Sequence, residues 1–294
     1  MFFGPVGSVE MTTQVPCTLG CNYCPQENIS ELYDGTPRMK FSAFKEIVEK
    51  LPEKISIHFS GLSEPWLNPS CTEMVLYAHR NAFDIQVFTT LMGMKTSDIS
   101  KIKDIPFSNF VVHIPSKGQK DFNGGANYLK KIKQIIKNDI NGLSFLSYGE
   151  IPSRLKHILS NEVKPQAVTK NAVYNTRAGN LDSGVPEYID APEIYCVEGR
   201  LNRNIILPDG TVLLCCMDWS LEHILGNLLE EDYISLFKGE EYKKVLQGMA
   251  DNNVNILCRN CEKAAKMGES SWKEKILGWI RETRCLKDMR KYYP

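Results

Sequence analysis

The sequence predicts an α/β fold, in which a partial (β/α)6 barrel is followed by a small C-terminal domain of a β-hairpin and helices. Short apolar segments alternate with amphipathic helical segments over the first two-thirds of the chain. This alternation stops near Asn175, and a tight-turn signal at Asp209-Gly210 then separates two further apolar segments. We therefore expect a barrel domain over residues 1–184 and a small domain over residues 185–294.

Six strands and four helices are expected in the first domain. The strands are residues 9–14, 55–60, 85–90, 110–114, 143–147 and 166–169. The helices are residues 42–51, 126–138 and 153–159, with one more that is capped by Asn68 and starts at Pro69. Strand-then-helix units imply a parallel sheet with helices on its outside, and a site at the carboxyl ends of the strands.

The second domain is expected to begin with the hairpin, whose strands are residues 204–207 and 211–214. A helix over residues 233–249, broken near Gly239, and a C-terminal helix over residues 271–292 should follow. The apolar residues of the last helix share one face, which is typical of a packing helix.

Charge and length exclude several classes of protein. The chain has 294 residues, and its 35 basic residues balance its 35 acidic ones, which argues against nucleic acid as a partner. Residues 1–10 contain no basic residue or long apolar run, so we expect no signal peptide. No stretch reaches the apolar length of a membrane span, and we expect a cytoplasmic protein with no membrane partner.

Ten cysteines are many for such a protein, and seven of them fall into tight groups at 17/21/24, 215/216 and 258/261. A disulfide framework is the alternative, but it is typical of small secreted domains. Clustered thiolates are soft ligands, which favour zinc or iron–sulfur clusters.

The first group reads Cys17-x3-Cys21-x2-Cys24. Three thiolates can hold three irons of a four-iron cubane and leave the fourth iron open to a small molecule. A zinc knuckle would need a fourth ligand nearby, and no His or Cys follows until His58.

This spacing, on a loop after the first strand, resembles the radical S-adenosylmethionine (SAM) superfamily. The resemblance implies a [4Fe–4S] cluster that passes an electron from an external donor, such as flavodoxin or ferredoxin, to bound SAM. The resulting 5′-deoxyadenosyl radical would take a hydrogen atom from the substrate. Tyr23 matches the aromatic residue that the family places beside the SAM adenine.

Two further segments resemble SAM-binding elements of the family. Residues 60–65 are similar to its Gly-Gly-Glu-Pro element, although only Gly61 of the glycine pair is present; the resemblance assigns SAM contacts to Gly61, Ser63 and Glu64. The alternative for Glu64 is a solvated carboxylate before a turn proline. Thr90 stands where the family often has Thr-Asn-Gly, and the sequence departs from that element.

Four cysteines resemble the ligand set of an auxiliary [4Fe–4S] cluster: Cys196, Cys215, Cys258 and Cys261. The similarity is to the SPASM and twitch domains, which also show Gly226-Asn227 after the hairpin. No cysteine lies between 261 and 285, so the shorter, single-cluster twitch form is expected for residues 185–294. Alone, Cys258-x2-Cys261 could be half of a zinc site.

The remaining cysteines have other expected roles. Cys215 and Cys216 are adjacent, and in a strand they would point to opposite faces, so one of them binds iron. The Gly-x4-Cys spacing selects Cys215. Cys216 is then either a buried apolar residue or a thiol that donates a hydrogen atom, as in radical SAM epimerases. Cys71 and Cys285 are expected to be structural.

Arg177 is the candidate substrate contact. It lies where the barrel ends, in a segment similar to one that contacts substrate in short twitch-type aminocyclitol dehydrogenases; the alternative is a surface arginine. His58 and His113 lie in strands and are expected to be core histidines.

These residues predict an oxidoreductase or epimerase that acts on a C–H bond of a small polar substrate, such as a sugar or aminocyclitol. In the dehydrogenase, the auxiliary cluster would accept an electron; in the epimerase, a thiol such as Cys216 would return a hydrogen atom. A ribosomal-peptide-modifying enzyme is the first alternative, although no residues are spare for a leader-binding domain. A non-catalytic iron–sulfur or zinc protein is the second.

Overall fold

The computed structural model describes residues 7–21, 23–115, 125–163, 168–169, 176–181 and 188–267. The expected helix over residues 271–292, Cys285 and the domain boundary at 184–185 lie outside these residues.

The strands of the described residues are β1 Ser8–Met11, β2 Ser56–Phe59, β3 Asp84–Thr89, β4 Asn109–Ile114, β5 Leu143–Ser147, β6 Val168–Thr169, β7 Ile194–Cys196, β8 Arg203–Ile206, β9 Thr211–Leu213, β10 Ile224–Asn227 and β11 Ala264–Lys266. Nine of them form one sheet, in the order β10-β9-β8-β1-β2-β3-β4-β5-β6. Strands β1 to β6 are parallel to their neighbours, as the alternating sequence predicts.

Eight α-helices accompany the strands in the described residues, and six of them belong to the barrel half. They are α1 Gln26–Leu32, α2 Phe41–Glu49, α3 Cys71–Arg80, α4 Thr96–Ile102, α5 Ala126–Lys137, α6 Ser153–Glu162, α7 Tyr233–Leu236 and α8 Glu240–Ala250. Gly239 separates α7 from α8, as expected from the sequence.

The core lies between the sheet and the helices, because each element buries one apolar face. In α2, the residues at helical spacing are Phe44, Ile47 and Val48, and all three are buried. In β2, Ile57 and Phe59 are fully buried, whereas His58 points the other way. The polar face of the strands therefore turns away from the helices.

The C-terminal hairpin is continuous with the barrel sheet. Strand β8 pairs in parallel with β1, with Ser8 opposite Arg203 and Met11 opposite Ile206. Strands β9 and β10 then extend the sheet in antiparallel pairing. A separate two-stranded sheet joins β7 to β11 and brings Cys196 opposite Ala264.

Three local expectations are corrected. The helix after Asn68 begins at Cys71 rather than at Pro69, with Ser70 as its N-cap residue. The Asn68 side chain accepts from the Ser70 amide, and it also donates to the carbonyls of Thr13 and Met39, which fixes the turn before the helix. Helices α1 and α4 were not expected from the sequence pattern. Cys215 and Cys216 lie in a turn beyond the end of β9, not within the strand. Cys71 is fully buried, as expected.

Candidate active site

One cavity of about 360 Å³ lies at the carboxyl ends of the barrel strands, a volume suited to a small-molecule site. It brings together the predicted residues of the first site, namely Cys17, Cys21, Tyr23, Cys24, Gly61, Ser63, Glu64, Thr90, Arg177 and Cys216. The other four predicted thiols, at 196, 215, 258 and 261, do not line it. The structure thus separates the two expected cysteine sites.

The loop of the first three cysteines is tied to the loop after β2 by Gln26, at the start of α1. The Gln26 side-chain oxygen accepts from the Cys17 amide at 3.1 Å, and its nitrogen donates to the Leu62 carbonyl at 2.6 Å. This single side chain therefore holds the thiol loop against the Gly61–Ser63 segment. No sequence pattern marks this residue, because a glutamine in a first helical turn is common.

The three thiols lie close enough to affect one another's ionisation. Burial raises the pKa of Cys17 to about 11, and the nearby Cys21 contributes in the same direction. The pKa of Cys24 is raised by a hydrogen bond with Cys21 and by burial. Protonated, crowded thiols become thiolates when they bind metal, which releases the protons. Three such thiols suit three irons of a cubane.

Glu64 is buried at the cavity wall, and protein donors surround its carboxylate. Thr89 Oγ1 and the Trp66 amide donate to Oε1, at 2.6 and 3.3 Å; the Thr90 amide and Thr90 Oγ1 donate to Oε2, at 2.6 and 2.8 Å. A carboxylate has about four acceptor sites, so these donors fill them. Burial raises the pKa of Glu64, and the four hydrogen bonds oppose that shift. Glu64 therefore fixes the loops after β2 and β3 to each other.

Gly61 is required by the backbone at this wall. Its φ is +78°, and a Cβ there would collide with the Thr12 side chain. The Thr12 hydroxyl accepts from the Leu62 amide at 3.0 Å. The backbone of residues 61–63 is thereby held along the cavity edge.

A row of five rings lines the cavity from β2 to the thiol loop. Successive ring centroids are 6.0 Å apart for His58–Phe88, 6.2 Å for Phe88–His113, 5.9 Å for His113–Tyr148 and 4.5 Å for Tyr148–Tyr23. The expectation that both histidines belong to the core is therefore wrong: the polar faces of these strands turn inward to a cavity. His58 Nε2 is buried without a hydrogen-bond partner among the described residues.

Burial keeps both imidazoles neutral. It lowers the pKa of His113 to about 4, and the Arg177 guanidinium acts in the same direction. Burial also lowers the pKa of His58. Neutral imidazoles in a cavity can each donate one hydrogen bond and accept one near neutral pH.

Cys216 faces this cavity and not the apolar core alone. Its sulfur accepts a hydrogen bond from Arg200, whose guanidinium also binds Glu198. Burial raises the pKa of Cys216 to about 12, against the effect of the two nearby arginines. The group facing the cavity is therefore a thiol with its hydrogen in place. Arg200 was not foreseen, since no motif marks it.

The second group of thiols meets behind Cys216. Burial raises the pKa of Cys258, and Cys261 and Cys196 add to the shift because they are close. Burial likewise raises the pKa of Cys215, and the nearby Cys258 adds to this shift. Cys215 packs against Cys261 in a small apolar cluster with Met217 and Leu257. Four convergent thiols suit a closed four-iron site.

Within the described residues, no three His, Cys, Asp or Glu side chains are arranged to share one metal ion. A tetrahedral zinc would need its sulfurs about 3.8 Å apart, from Zn–S bonds of about 2.3 Å. The thiolates of a cubane bind different irons and need not converge in this way.

Arg177 lies between the two thiol groups. Its guanidinium stacks over Trp219, 5.9 Å from the ring centroid, and its Nη1 approaches the Cys216 carbonyl at 3.5 Å. Its Nε is buried with no hydrogen-bond partner among the described residues. The alternative of a surface arginine does not describe this side chain, which points into the cavity wall.

Comparisons with known proteins agree with this arrangement. Residues 196–262 match the SPASM family model, an iron–sulfur cluster-binding domain. No curated protein sequence matches the chain. In the described residues, no helix combines the length and the apolar character that a membrane crossing requires.

Three solved structures are similar to the chain. BtrN, in complex with AdoMet (SAM) and 2-DOIA, is 15% identical over 89% of this chain and 93% of BtrN, with a TM-score of 0.57. The protein anSMEcpe, with AdoMet and the Cp18Cys peptide, is 12% identical over 97% and 99%, with a TM-score of 0.53. Streptococcus suis SuiB, bound to precursor peptide SuiA, is 12% identical over 88% and 70%, with a TM-score of 0.50.

These three are radical SAM enzymes of the SPASM/twitch type, and the chain has their fold, as the sequence predicts. The matched domain is described as binding an iron–sulfur cluster, and both BtrN and anSMEcpe are solved with bound AdoMet.

Proposed function

We propose that this chain, which has the radical SAM fold with a SPASM iron–sulfur domain, is a radical SAM enzyme that reductively cleaves SAM and removes a hydrogen atom from a small polar substrate. One observation carries the proposal: a single cavity joins the three-thiol loop to Cys216 and Arg177. The outcome for a sugar or aminocyclitol would be oxidation or epimerisation.

The residues divide into those that hold cofactors and those that face the substrate. Cys17, Cys21 and Cys24 would hold the first cluster, and Cys196, Cys215, Cys258 and Cys261 would hold the second. Tyr23, Thr90 and the backbone of residues 61–63 line the part of the cavity nearest the first three thiols. Bound there, the cluster and SAM would supply a carbon radical, with the electron coming from an external donor such as flavodoxin or ferredoxin.

The part of the cavity that would face the substrate combines polar groups with aromatic rings, which suits a small polar molecule. Arg177, His58 and His113 present hydrogen-bonding groups, and Phe88 and Tyr148 cover the wall between them. The rings would cover the apolar part of the substrate, and the polar groups would orient the reacting C–H bond.

Cys216 supports the epimerase outcome. Its S–H bond would break as a new C–H bond forms on the opposite face of the substrate carbon, leaving a sulfur radical to be reduced by the external donor. Oxidation would instead need the auxiliary cluster to accept an electron and another group to accept a proton. His113 lines the same cavity, but its low pKa makes it a weak proton acceptor.

A peptide substrate is the second candidate. Two of the three similar structures have a peptide bound, at TM-scores of 0.53 and 0.50. A cavity open to a peptide would accept a single side chain in place of a free small molecule.

The first test is anaerobic reconstitution, followed by counts of iron and sulfide and by addition of SAM and reductant. We expect about eight irons per chain, for two four-iron clusters, and formation of 5′-deoxyadenosine. A Cys21→Ala control should lose both about four irons and the cleavage. A fully loaded protein that leaves SAM intact would refute the proposal.

Variants of the two adjacent cysteines distinguish a cluster ligand from a hydrogen-atom donor. Cys215→Ala should lose about four irons, whereas Cys216→Ala should keep all of them. With sugars, aminocyclitols and peptides offered in D2O, an epimerase would place deuterium on one carbon, and Cys216→Ala would abolish that incorporation. Incorporation that persists without the Cys216 thiol would exclude its role as donor.

A further inference from the structure

The segment from Thr176 to Leu181 carries Arg177 and is anchored at both ends. On one side, the Asn180 side chain accepts from Asn28 of α1 at 2.8 Å, and Asn180 also donates to the Arg177 carbonyl at 2.8 Å. On the other side, the segment meets Glu262, which directly follows Cys261 in the chain. The segment therefore bridges the helix after the first cysteine group and the loop of the second.

Glu262 holds this segment through three donors. Its carboxylate accepts from the Arg177 amide and the Ala178 amide, both at 3.2 Å, and from Thr176 Oγ1 at 2.9 Å. Successive backbone amides that converge on one carboxylate form an anion-binding nest. Hydrogen bonds to an ionised acceptor are about twice as strong as those between neutral groups.

The backbone that Glu262 holds is one that side chains rarely adopt. Arg177 has a φ of 56° and Ala178 a φ of 52°, both in the left-handed region. Non-glycine residues remain there only when their surroundings enforce it. Glu262 is the acceptor for the amides of both left-handed residues, so without its carboxylate the turn that points the Arg177 side chain at Trp219 and Cys216 would be weakened.

Glu262 itself is fixed by the four-thiol site. The Cys261 amide donates to the Cys258 carbonyl, and the Lys263 carbonyl accepts from Val197, next to Cys196. Lys263 also pairs with Glu198 at 2.8 Å, and Glu198 holds Arg200 against Cys216. The position of residues 261–263 is thus set by the same loops that present the thiols.

We propose that Glu262 is a positioning residue, which couples assembly of the four-thiol cluster site to the placement of Arg177 in the cavity. The proposal rests on the proposed function only in taking Arg177 as a substrate contact. Arg177 is placed when residues 258–262 are ordered, and it is released when they are not.

The test is amide hydrogen–deuterium exchange at Arg177 and Ala178 in the anaerobically reconstituted full chain. Glu262→Gln keeps the shape but replaces one acceptor oxygen by a donor, so these two amides should exchange about tenfold faster, a factor that corresponds to about 1.4 kcal/mol. The matched control is Glu240→Gln, at an exposed carboxylate that pairs with Lys243 on the surface of α8. Its exchange should equal that of the unmodified protein. Unchanged exchange in Glu262→Gln would overturn the proposal.

The coupling is tested by a double-mutant cycle. Cys258→Ser, which removes a ligand of the second cluster, should speed exchange at the same two amides in the otherwise unmodified chain. In the Glu262→Gln background, Cys258→Ser should cause no further increase in the exchange rate of these amides, because the Glu262 carboxylate that connects them to the second cysteine group is already lost. Additive effects would overturn the coupling. Both readouts are independent of SAM cleavage, so failure to form 5′-deoxyadenosine would sink the proposed function and leave this inference standing.

Discussion

The imidazole of His113 lies in the cavity wall between the edges of Phe88 and Tyr148, with its ring nearly perpendicular to that of Tyr148. Its charged form is disfavoured by burial and by Arg177, so the folded protein binds a proton there only near pH 4. The unfolded chain binds the same proton near pH 6.5. A group of this kind makes stability depend on pH.

The direction follows from proton linkage. Between pH 6.5 and about 4 the unfolded state binds more protons at this position, so stability is complete above pH 6.5 and falls as the pH is lowered. We predict that the unmodified protein loses about 1 kcal/mol more of its unfolding free energy between pH 7.5 and 5.5 than His113→Gln does. Urea unfolding followed by tryptophan fluorescence would measure both, and equal slopes would contradict the prediction.

Residues whose chemistry depends on spacing could be predicted from the sequence. The first cysteine group, Glu64 and Arg177 all line the expected cavity. The expectation that His58 and His113 belong to the core is wrong for a physical reason. The position of a polar residue in a strand indicates which face of the sheet it lies on, but not whether that face packs against protein or lines a cavity. The alternation of these histidines with Ile57 and Val112 was the available signal.

Among the elements, the short 3-10 helix Leu257–Asn260 depends on one buried cation. Arg259 is fully buried, and its guanidinium donates to four backbone carbonyls, those of Gly248, Ile189, Ala191 and Pro192, at 2.7 to 3.3 Å. It lies between Cys258 and Cys261 and ties them to the end of α8 and to the segment before β7. The spacing Cys-x2-Cys marked Cys258 and Cys261 as candidate ligands, but nothing in it marked the intervening arginine as structural.

Arg259→Lys tests this element without touching a ligand. An ammonium cannot reproduce the planar fork, and carbonyls left without donors would destabilise the loop by about 3 kcal/mol. We predict a lower melting temperature and a loss of up to about four irons. Arg154→Lys, at an exposed position of α6, should retain the full iron content. Full iron and an unchanged melting temperature in Arg259→Lys would contradict the prediction.

At the scale of the whole molecule, the hairpin of the second half completes the sheet of the first. Ile205 and Ile206 of β8 are fully buried, and their strand covers the edge of β1. The sequence predicted the strands and the change of pattern near Asn175, but not this pairing. The pairing of two strands that lie far apart in the chain cannot be predicted from local sequence, because tertiary packing decides which strands pair.

A fragment of residues 1–190 should therefore not behave as a domain. It would leave β1 with an unpaired edge and remove the residues that cover it, and such edges promote aggregation. We predict a fragment that sediments as aggregate, while the full chain under the same conditions remains dispersed. A monomeric fragment that unfolds cooperatively and binds about four irons would show that the two halves are independent.

The placement of Cys215 and Cys216 has a consequence for evolution. Consecutive Cα atoms are held about 3.8 Å apart by covalent geometry. Cys215 belongs to the apolar cluster that contains Cys261, and Cys216 lines the cavity. One peptide bond therefore sets the spacing between the cluster that contains Cys215 and the cavity that Cys216 lines. Neither sequence changes in the surrounding loops nor thermal motion can lengthen it. Loops at the cavity rim can diversify for new substrates while that spacing stays constant.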